Sequence, residues 1–251
     1  MSAPRRSGMI GMSAKPTNPP AAGLKPLTAQ QSGQRQRLIA RYQTQATGIL
    51  HLGAHVGQER ERYDRLDKPV LWVEGHPAIF QQLQQHLEPY PKQRALCAVL
   101  AEVDGRLATF YRSNNADGVS SSLFPFGAYA DGEHSLWPQL QLRMIEQLSL
   151  PTLRLDTLLA GNAIEAKDYS FWVVDLQGAE ALALAGAERS LAACQAMLIE
   201  VSTVEVYRGG VTWQPLREQL SAAGFVPLFE PARAHDDVLF VRRPAAAGAS
   251  L

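Results

Sequence analysis

The chain has 251 residues, 46% of them hydrophobic, and its 24 Lys and Arg balance 24 Asp and Glu. That apolar content suffices for one large core, while two cysteines, Cys97 and Cys194, with no Cys-x-x-Cys, exclude a disulfide framework and a thiolate zinc site. No apolar run approaches the roughly 18 residues of a membrane-spanning helix, and no signal-length apolar stretch follows Arg5 and Arg6, so a cytoplasmic protein with reduced thiols is expected. Residues 1–45 hold seven Lys and Arg and no acid, which leaves 17 basic against 24 acidic residues, or −7, in the body. This segment is rich in Pro, Ala, Ser, Gly and Gln. It is expected to be a disordered basic extension, with a short helix at most near Gln34–Gln43. Met9 and Met12 are alternative starts. Without interleaved aromatics the basic tail is not expected to bind nucleic acid.

From Gly48 onward short apolar runs alternate with helical stretches. Strands are expected at Ile49–Leu52, Val70–Val73, Leu96–Leu100, Phe171–Val174, Met197–Val201, Phe225–Phe229 and Val238–Val241. Helices are expected at Gln58–Leu66, at Pro77–Leu87 with proline in the first turn, at Ala179–Ala193, and at Trp213–Ala223, stopped by Gly224. Continuous apolar strands alternating with helices predict an α/β fold, a mostly parallel Rossmann-like sheet covered on both faces, here with the last strand antiparallel. The domain is placed at residues 46–243, with residues 244–251 as a disordered tail. An insertion at about 105–150 interrupts the rhythm, holds a strand near Leu107–Tyr111, and has the character of a lid or substrate loop.

Two marks carry the first chemistry. Gly53 and Gly57 follow the first strand, where glycines permit a tight turn and close approach of a ligand to the backbone. Glu74 ends the next strand, 21 residues after Gly53 (74 − 53), where a carboxylate can accept hydrogen bonds from two ribose hydroxyls. The loop has neither Gly-x-Gly-x-x-Gly nor a P-loop, and no Tyr-x-x-x-Lys is present. A nucleotide-dependent oxidoreductase is therefore disfavoured, and a nucleoside without phosphates suits the loop better.

Several segments in order resemble the FkbM-type methyltransferases, a class I family that often methylates sugar or natural-product hydroxyls. They are Ile49-Leu50-His51-Leu52-Gly53-Ala54-His55-Val56-Gly57-Gln58-Glu59, Leu71-Trp72-Val73-Glu74, Asn114-Asn115 with Ser120-Ser121-Ser122, and Thr152-Leu153-Arg154-Leu155-Asp156. Further on come Val174-Asp175-Leu176-Gln177-Gly178-Ala179-Glu180, Leu184-Ala185-Gly186-Ala187, Ile199-Glu200-Val201, Glu205-Val206-Tyr207-Arg208-Gly209 and Gly224-Phe225. The chain departs from the family pattern at His55, where Asn or Asp is usual, at Arg154, and at Cys97, where relatives have Asn. The resemblance implies S-adenosylmethionine as cofactor and a saccharide or other small molecule as acceptor. It implies that His51, Gly53, Ala54, His55, Gly57, Gln58, Glu59, Glu74 and Ala98 surround the cofactor, and that Gln177 and Glu180 meet the substrate. A non-catalytic protein built on the same fold is the alternative.

An activated sulfonium methyl needs only alignment, and a hydroxyl acceptor also needs a group to take its proton. Asp175, at the end of the fourth strand of the sheet, and Glu200, in the fifth, are the expected catalytic carboxylates. They border an acceptor pocket completed by Asn115, Ser120 and Ser121 from the insertion, with Phe124, Phe126 and Tyr129 as aromatic faces. Glu180 could instead cap a helix N-terminus and Glu200 bind backbone. A divalent cation held by Asp175, Glu200 and Asp237 is also open. His51 and His55 span a strand end and a turn, so a helical metal pair is not expected. His134 and His235 are alternative bases. Ser120–Ser122 lack the Gly-x-Ser-x-Gly of a hydrolase.

Overall fold

A computed structural model describes residues 26–244. The expectations for residues 1–25 and 245–251, and the starts at Met9 and Met12, lie outside the described residues. In chain order the first half holds α1 (Ala29–Gln45), β1 (Ile49–Leu52), α2 (Arg60–Asp64), β2 (Val70–Glu74), α3 (Pro77–Leu87), β3 (Gln93–Cys97), β4 (Val99–Leu100) and β5 (Leu107–Ser113). The second half holds β6 (Met144–Leu153), α4 (Leu155–Gly161), β7 (Phe171–Val174), α5 (Glu180–Ala185), β8 (Ala196–Ser202), α6 (Trp213–Ala222), β9 (Phe225–Pro227) and β10 (His235–Arg242).

Seven strands form the main sheet in the order β3-β2-β1-β7-β8-β10-β9. All neighbours pair in parallel except β10, which runs antiparallel to both β8 and β9. This is the mostly parallel, Rossmann-like α/β sheet with a reversed last strand that the alternation predicted. The order turns outward from β1 and β7, so the crevice at their carboxyl ends is the topological switch point.

Strand alternation divides the core into two layers. Leu50, Leu52, Leu71, Val73, Trp172 and Val174 face one side, against Leu155, Leu158 and Leu159 of α4, Leu184 of α5, and Leu216 and Leu220 of α6. Ile49, Val70, Trp72, Phe171 and Val173 face the other, against Tyr63 of α2 and Leu83 and Leu87 of α3. β1, β2 and β7 are buried at every position because both faces of the sheet are covered.

Four expectations change. Disorder does not extend to residues 29–45: α1 is a 17-residue helix with a capping box between Thr28 and Gln31. Its Leu38, Ile39 and Tyr42 pack on the second core layer, so the folded domain begins before residue 46. The strand expected at Leu96–Leu100 divides at Ala98. Gln93–Cys97 pairs with β2 in the main sheet, whereas Val99–Leu100 pairs with β6 in a separate three-stranded sheet of order β4-β6-β5. The helix expected at Ala179–Ala193 stops at Ala185 and resumes only as a 3-10 turn at Ser190–Ala193. At Gly186 the backbone passes so close to Ala101 that a Cβ would lie 2.2 Å from its carbonyl oxygen. The insertion is bounded by a long antiparallel hairpin, β5 with β6, and the second of these strands lacks a clean apolar alternation in the sequence. Between them, Phe126, Ala130, Trp137 and Leu142 form a small third core with Val206 and Tyr207.

Candidate active site

Two cavities open at the carboxyl ends of β1, β2, β7 and β8. The first, about 50 Å³, is lined by Gly53, His55, Glu74, Ala98, Phe110 and Leu176 among others. The second, about 150 Å³, is lined by Asn115, Ser120, Trp137, Glu200, Tyr207 and His235 among others. Asp175, Gln177 and Val119 line both. Gly118, Val119 and Ser121 of the insertion form part of the wall of the first.

Glu74 ends β2 with its side chain in the first cavity. One carboxylate oxygen accepts from the amide of His55 and the other from the amide of His76, both at 2.8 Å. Burial pushes its carboxyl above the ordinary range, against the opposing pull of these amides and that of Gly75. Each oxygen keeps a further lone pair for a hydroxyl donor. His55 sits in the left-handed region at φ +47°. Its Nδ1 lies 2.7 Å from Gln58 Nε2, and its ring also faces the backbone and the charge of Asp117. Burial lowers the pKa of this imidazole. The cavity wall includes two carboxylates, Glu74 and Asp175, and no Lys or Arg.

Gly53 serves a different purpose from the one its position suggests. At φ +85° it carries the chain past β7, and a Cβ would lie 1.7 Å from the carbonyl oxygen of Asp175. The absent side chain makes room for the neighbouring strand end, so close ligand approach is not the first reason for glycine here. Gly57, at φ +72°, would place a Cβ 2.8 Å from Leu83 of α3.

The second cavity is built on a hydrogen-bonded chain. After β7 the backbone turns through two left-handed residues, Gln177 at φ +56° and Gly178 at φ +96°. Gln177 Nε2 then donates to Asp175 Oδ1 and, at 2.7 Å, to Glu200 Oε2, while its Oε1 accepts from the Tyr207 hydroxyl. Glu200 Oε1 lies 2.9 Å from His235 Nε2, and His235 Nδ1 lies 2.7 Å from Ser202 Oγ. The Trp137 ring meets His235 edge-on at 5.2 Å. Burial, followed by the charges of Glu200 and Asp175, pushes the Tyr207 hydroxyl well above its ordinary pKa, which keeps it a donor.

The structure thus brings Gly53, His55, Glu74 and Ala98 to the first cavity and Asp175, Glu200, Asn115, Ser120 and Gln177 to the second or to both, with Ser121 at the first. Five expected cofactor residues line neither of these two cavities. His51 packs against Trp72 at 4.7 Å and lies 3.2 Å from the Tyr63 hydroxyl. Ala54 is core, Gly57 makes room for α3, Gln58 holds the His55 ring, and Glu59 precedes α2. Glu180 is also off both cavities. Its Oε1 accepts from the amides of Leu176 and Gly178, and burial, then Glu200, pushes its carboxyl up to about 7. It holds the turn that presents Asp175 and Gln177, rather than capping α5, which has no side-chain cap hydrogen bond. His134 rests against Tyr129 away from either cavity. Among the described residues no group of three His, Cys, Asp or Glu is placed to hold a metal ion, Asp175, Glu200 and Asp237 included. Tyr207, Trp137 and Arg233 are cavity residues for which the sequence alone offers no role. Tyr207 lies in a segment that resembles the family, but its partner Gln177 is 30 residues away.

The sheet order and the paired cavities at its switch point define a class I, Rossmann-like methyltransferase fold. The chain belongs to the FkbM methyltransferase family: the methyltransferase FkbM domain matches residues 51–227. It is similar to the 2-O-methyltransferase NoeI of Sinorhizobium fredii (strain NBRC 101917 / NGR234), at 23% identity over 221 residues, 87% of this chain and 88% of that protein. Among solved structures it is similar to magnesium protoporphyrin IX methyltransferase of Synechocystis PCC 6803 with bound SAM (TM-score 0.43, 10% identity, 88% of this chain and 87% of that one). The N-terminal domain of EvdMO1 with SAH bound is another (TM-score 0.42, 11% identity, 86% and 82%). No helix among the described residues is long and apolar enough to cross a membrane.

Proposed function

We propose that this chain is an S-adenosylmethionine-dependent O-methyltransferase whose acceptor is a hydroxyl of a saccharide or related small molecule. The observation that carries the reading is that Asp175 lines both cavities, so one carboxylate faces a donor site and an acceptor site at once. Family membership supports the transfer of a methyl group. The similarity to a protein named as a 2-O-methyltransferase supports a hydroxyl acceptor.

The first cavity suits the donor. Glu74 would hold the ribose hydroxyls, with Phe110 and Leu176 flanking the base. Two carboxylates and no Lys or Arg favour a ligand with hydroxyls and a cationic centre over a phosphate. When bound, S-adenosylmethionine supplies a methyl group already activated on a sulfonium sulfur.

The chain's own work is alignment and proton removal. Asp175 accepts the proton of the acceptor hydroxyl as the new oxygen–carbon bond forms. Gln177 holds Asp175 and Glu200 apart and oriented, and Tyr207 fixes Gln177. Trp137, Phe126 and Tyr207 give the second cavity aromatic faces beside its carboxylates, a combination suited to the apolar face and hydroxyl rim of a sugar ring.

Two measurements test the reading. Calorimetry with S-adenosylhomocysteine should show one site per chain. Labelled S-adenosylmethionine incubated with saccharide fractions of the source cells should yield an alkali-stable methyl ether. Binding without transfer to any fraction would favour the non-catalytic alternative, and no binding would sink the cofactor assignment.

A further inference from the structure

We propose that α1, acting through Arg35, is a positioning element of the acceptor cavity and holds in place the wall that runs from Phe229 to Asp237. This rests on the second cavity being the acceptor site. Both α1 and β10 lie outside the stretch matched by the family domain, residues 51–227.

The contacts converge on one buried carboxylate. Asp236, whose side chain is 4% exposed, accepts from Arg35 Nη1 at 3.2 Å, from the amide of Ala232 at 2.8 Å, and from Arg233 Nε and Nη2 at 3.1 and 2.6 Å. Arg35 Nη2 also donates to the carbonyl of Glu230 at 2.6 Å, and its guanidinium lies 4.1 Å from the centre of the Phe229 ring. One side chain of α1 therefore engages this segment at three points, Phe229, Glu230 and Asp236. The same segment supplies Arg233, His235, Asp236 and Asp237 to the second cavity. Its His235 is the partner of Glu200, and β10 is aligned on β8 with Asp237 opposite Glu200.

A guanidinium suits this task because its planar fork can bridge a carboxylate and a carbonyl while its face rests on an aromatic ring. α1 is held independently by Leu38, Ile39 and Tyr42 on the core, so Arg35 projects from a fixed base. Loss of Arg35 would leave Asp236 with Arg233 and Ala232, which belong to the same segment, and would remove the tie from α1 to Phe229, Glu230 and Asp236, with the segment still held by β10 on β8, Ala234 on Thr203 and Arg217 on Glu230. The donor cavity shares none of these residues. The expected consequence falls on the acceptor alone.

The test compares wild type with Arg35→Ala in the full chain. S-adenosylhomocysteine affinity by calorimetry should stay within about twofold, whereas KM for the methyl-accepting saccharide fraction should rise about tenfold or more with kcat little changed. Independently of any acceptor, acrylamide quenching of Trp137, isolated by difference from a Trp137→Phe background, should increase as the wall loosens. A folded Arg35→Ala protein with acceptor KM and Trp137 quenching both at wild-type values overturns the proposal. Should Arg35→Ala not fold, Arg35→Gln carries the same two outcomes. If wild type transfers no methyl group, the functional reading fails, and the quenching comparison still decides whether Arg35 holds the wall.

Discussion

Gly53→Ala separates two explanations of the glycine loop. If the residue is glycine so that a ligand can approach, one methyl should weaken S-adenosylhomocysteine binding and leave stability alone. The geometry says otherwise, because the added Cβ would lie 1.7 Å from the Asp175 carbonyl oxygen and 2.7 Å from its carbon. Both are backbone atoms that no rotamer change can move aside. A non-glycine residue held at φ +85° costs about 1–2 kcal/mol, and forced overpacking adds about 1–3 kcal/mol. The sum, roughly 2–5 kcal/mol, is a large part of the 5–15 kcal/mol typical of a domain. Urea unfolding followed by tryptophan fluorescence is the assay, since Trp72 and Trp172 are both fully buried in the sheet beside β1. A Gly53→Ala protein with the wild-type urea midpoint and a selective loss of S-adenosylhomocysteine affinity would refute the reasoning.

Glu74→Gln should weaken S-adenosylhomocysteine at least about tenfold, because charge-assisted hydrogen bonds contribute about 1.5–3 kcal/mol each; calorimetry giving an unchanged Kd would reduce Glu74 to an anchor for the His55 and His76 amides. Asp175→Asn should lower turnover about 10²-fold or more with S-adenosylhomocysteine affinity little changed, and full turnover on the true acceptor would move the base elsewhere, with His235 the next to replace. Glu180 carries a pH prediction. Its folded-state pKa, about 7, exceeds the ordinary 4.5, so its stabilising contribution is complete below about pH 4.5 and is lost as pH rises through about 7, roughly 3 kcal/mol in all. Glu180→Gln can still accept from Leu176 and Gly178, so its unfolding free energy should fall less between pH 5 and pH 8 than that of wild type; parallel curves would show that another group sets the slope.

The sheet was legible because its signal is local. Ile49–Leu52, Val70–Val73 and Phe171–Val174 are short apolar runs ended by glycines or acids, and burial on both faces forces such runs to be continuous. Position along a strand end also made Glu74 and Asp175 legible, since side chains there meet the crevice whatever the rest of the chain does. Glu180 shows where such reasoning stops. It sits five residues beyond Asp175, but the left-handed turn at Gln177 and Gly178 sends the two carboxylates to different places, one to both cavities and the other back to its own loop amides.

The acceptor wall was harder still, because its parts are far apart in the chain. Arg35 and Asp236 are 201 residues apart. The sequence around Arg35 looks like a polar extension because only Leu38, Ile39 and Tyr42 of α1 face the core, too few to register as an apolar stripe. What ties α1 to this wall is the cation it offers to a buried carboxylate, and a lone arginine in a basic tail carries no local mark of that role. Glu74, Asp175 and Gln177 lie within the matched family domain, whereas Arg35, Arg233 and His235 lie outside it. On the proposed reading, only the part of the acceptor cavity from Arg233 to Asp237 lies outside that domain; the rest, from Asn115 to Tyr207, lies within it together with the donor site.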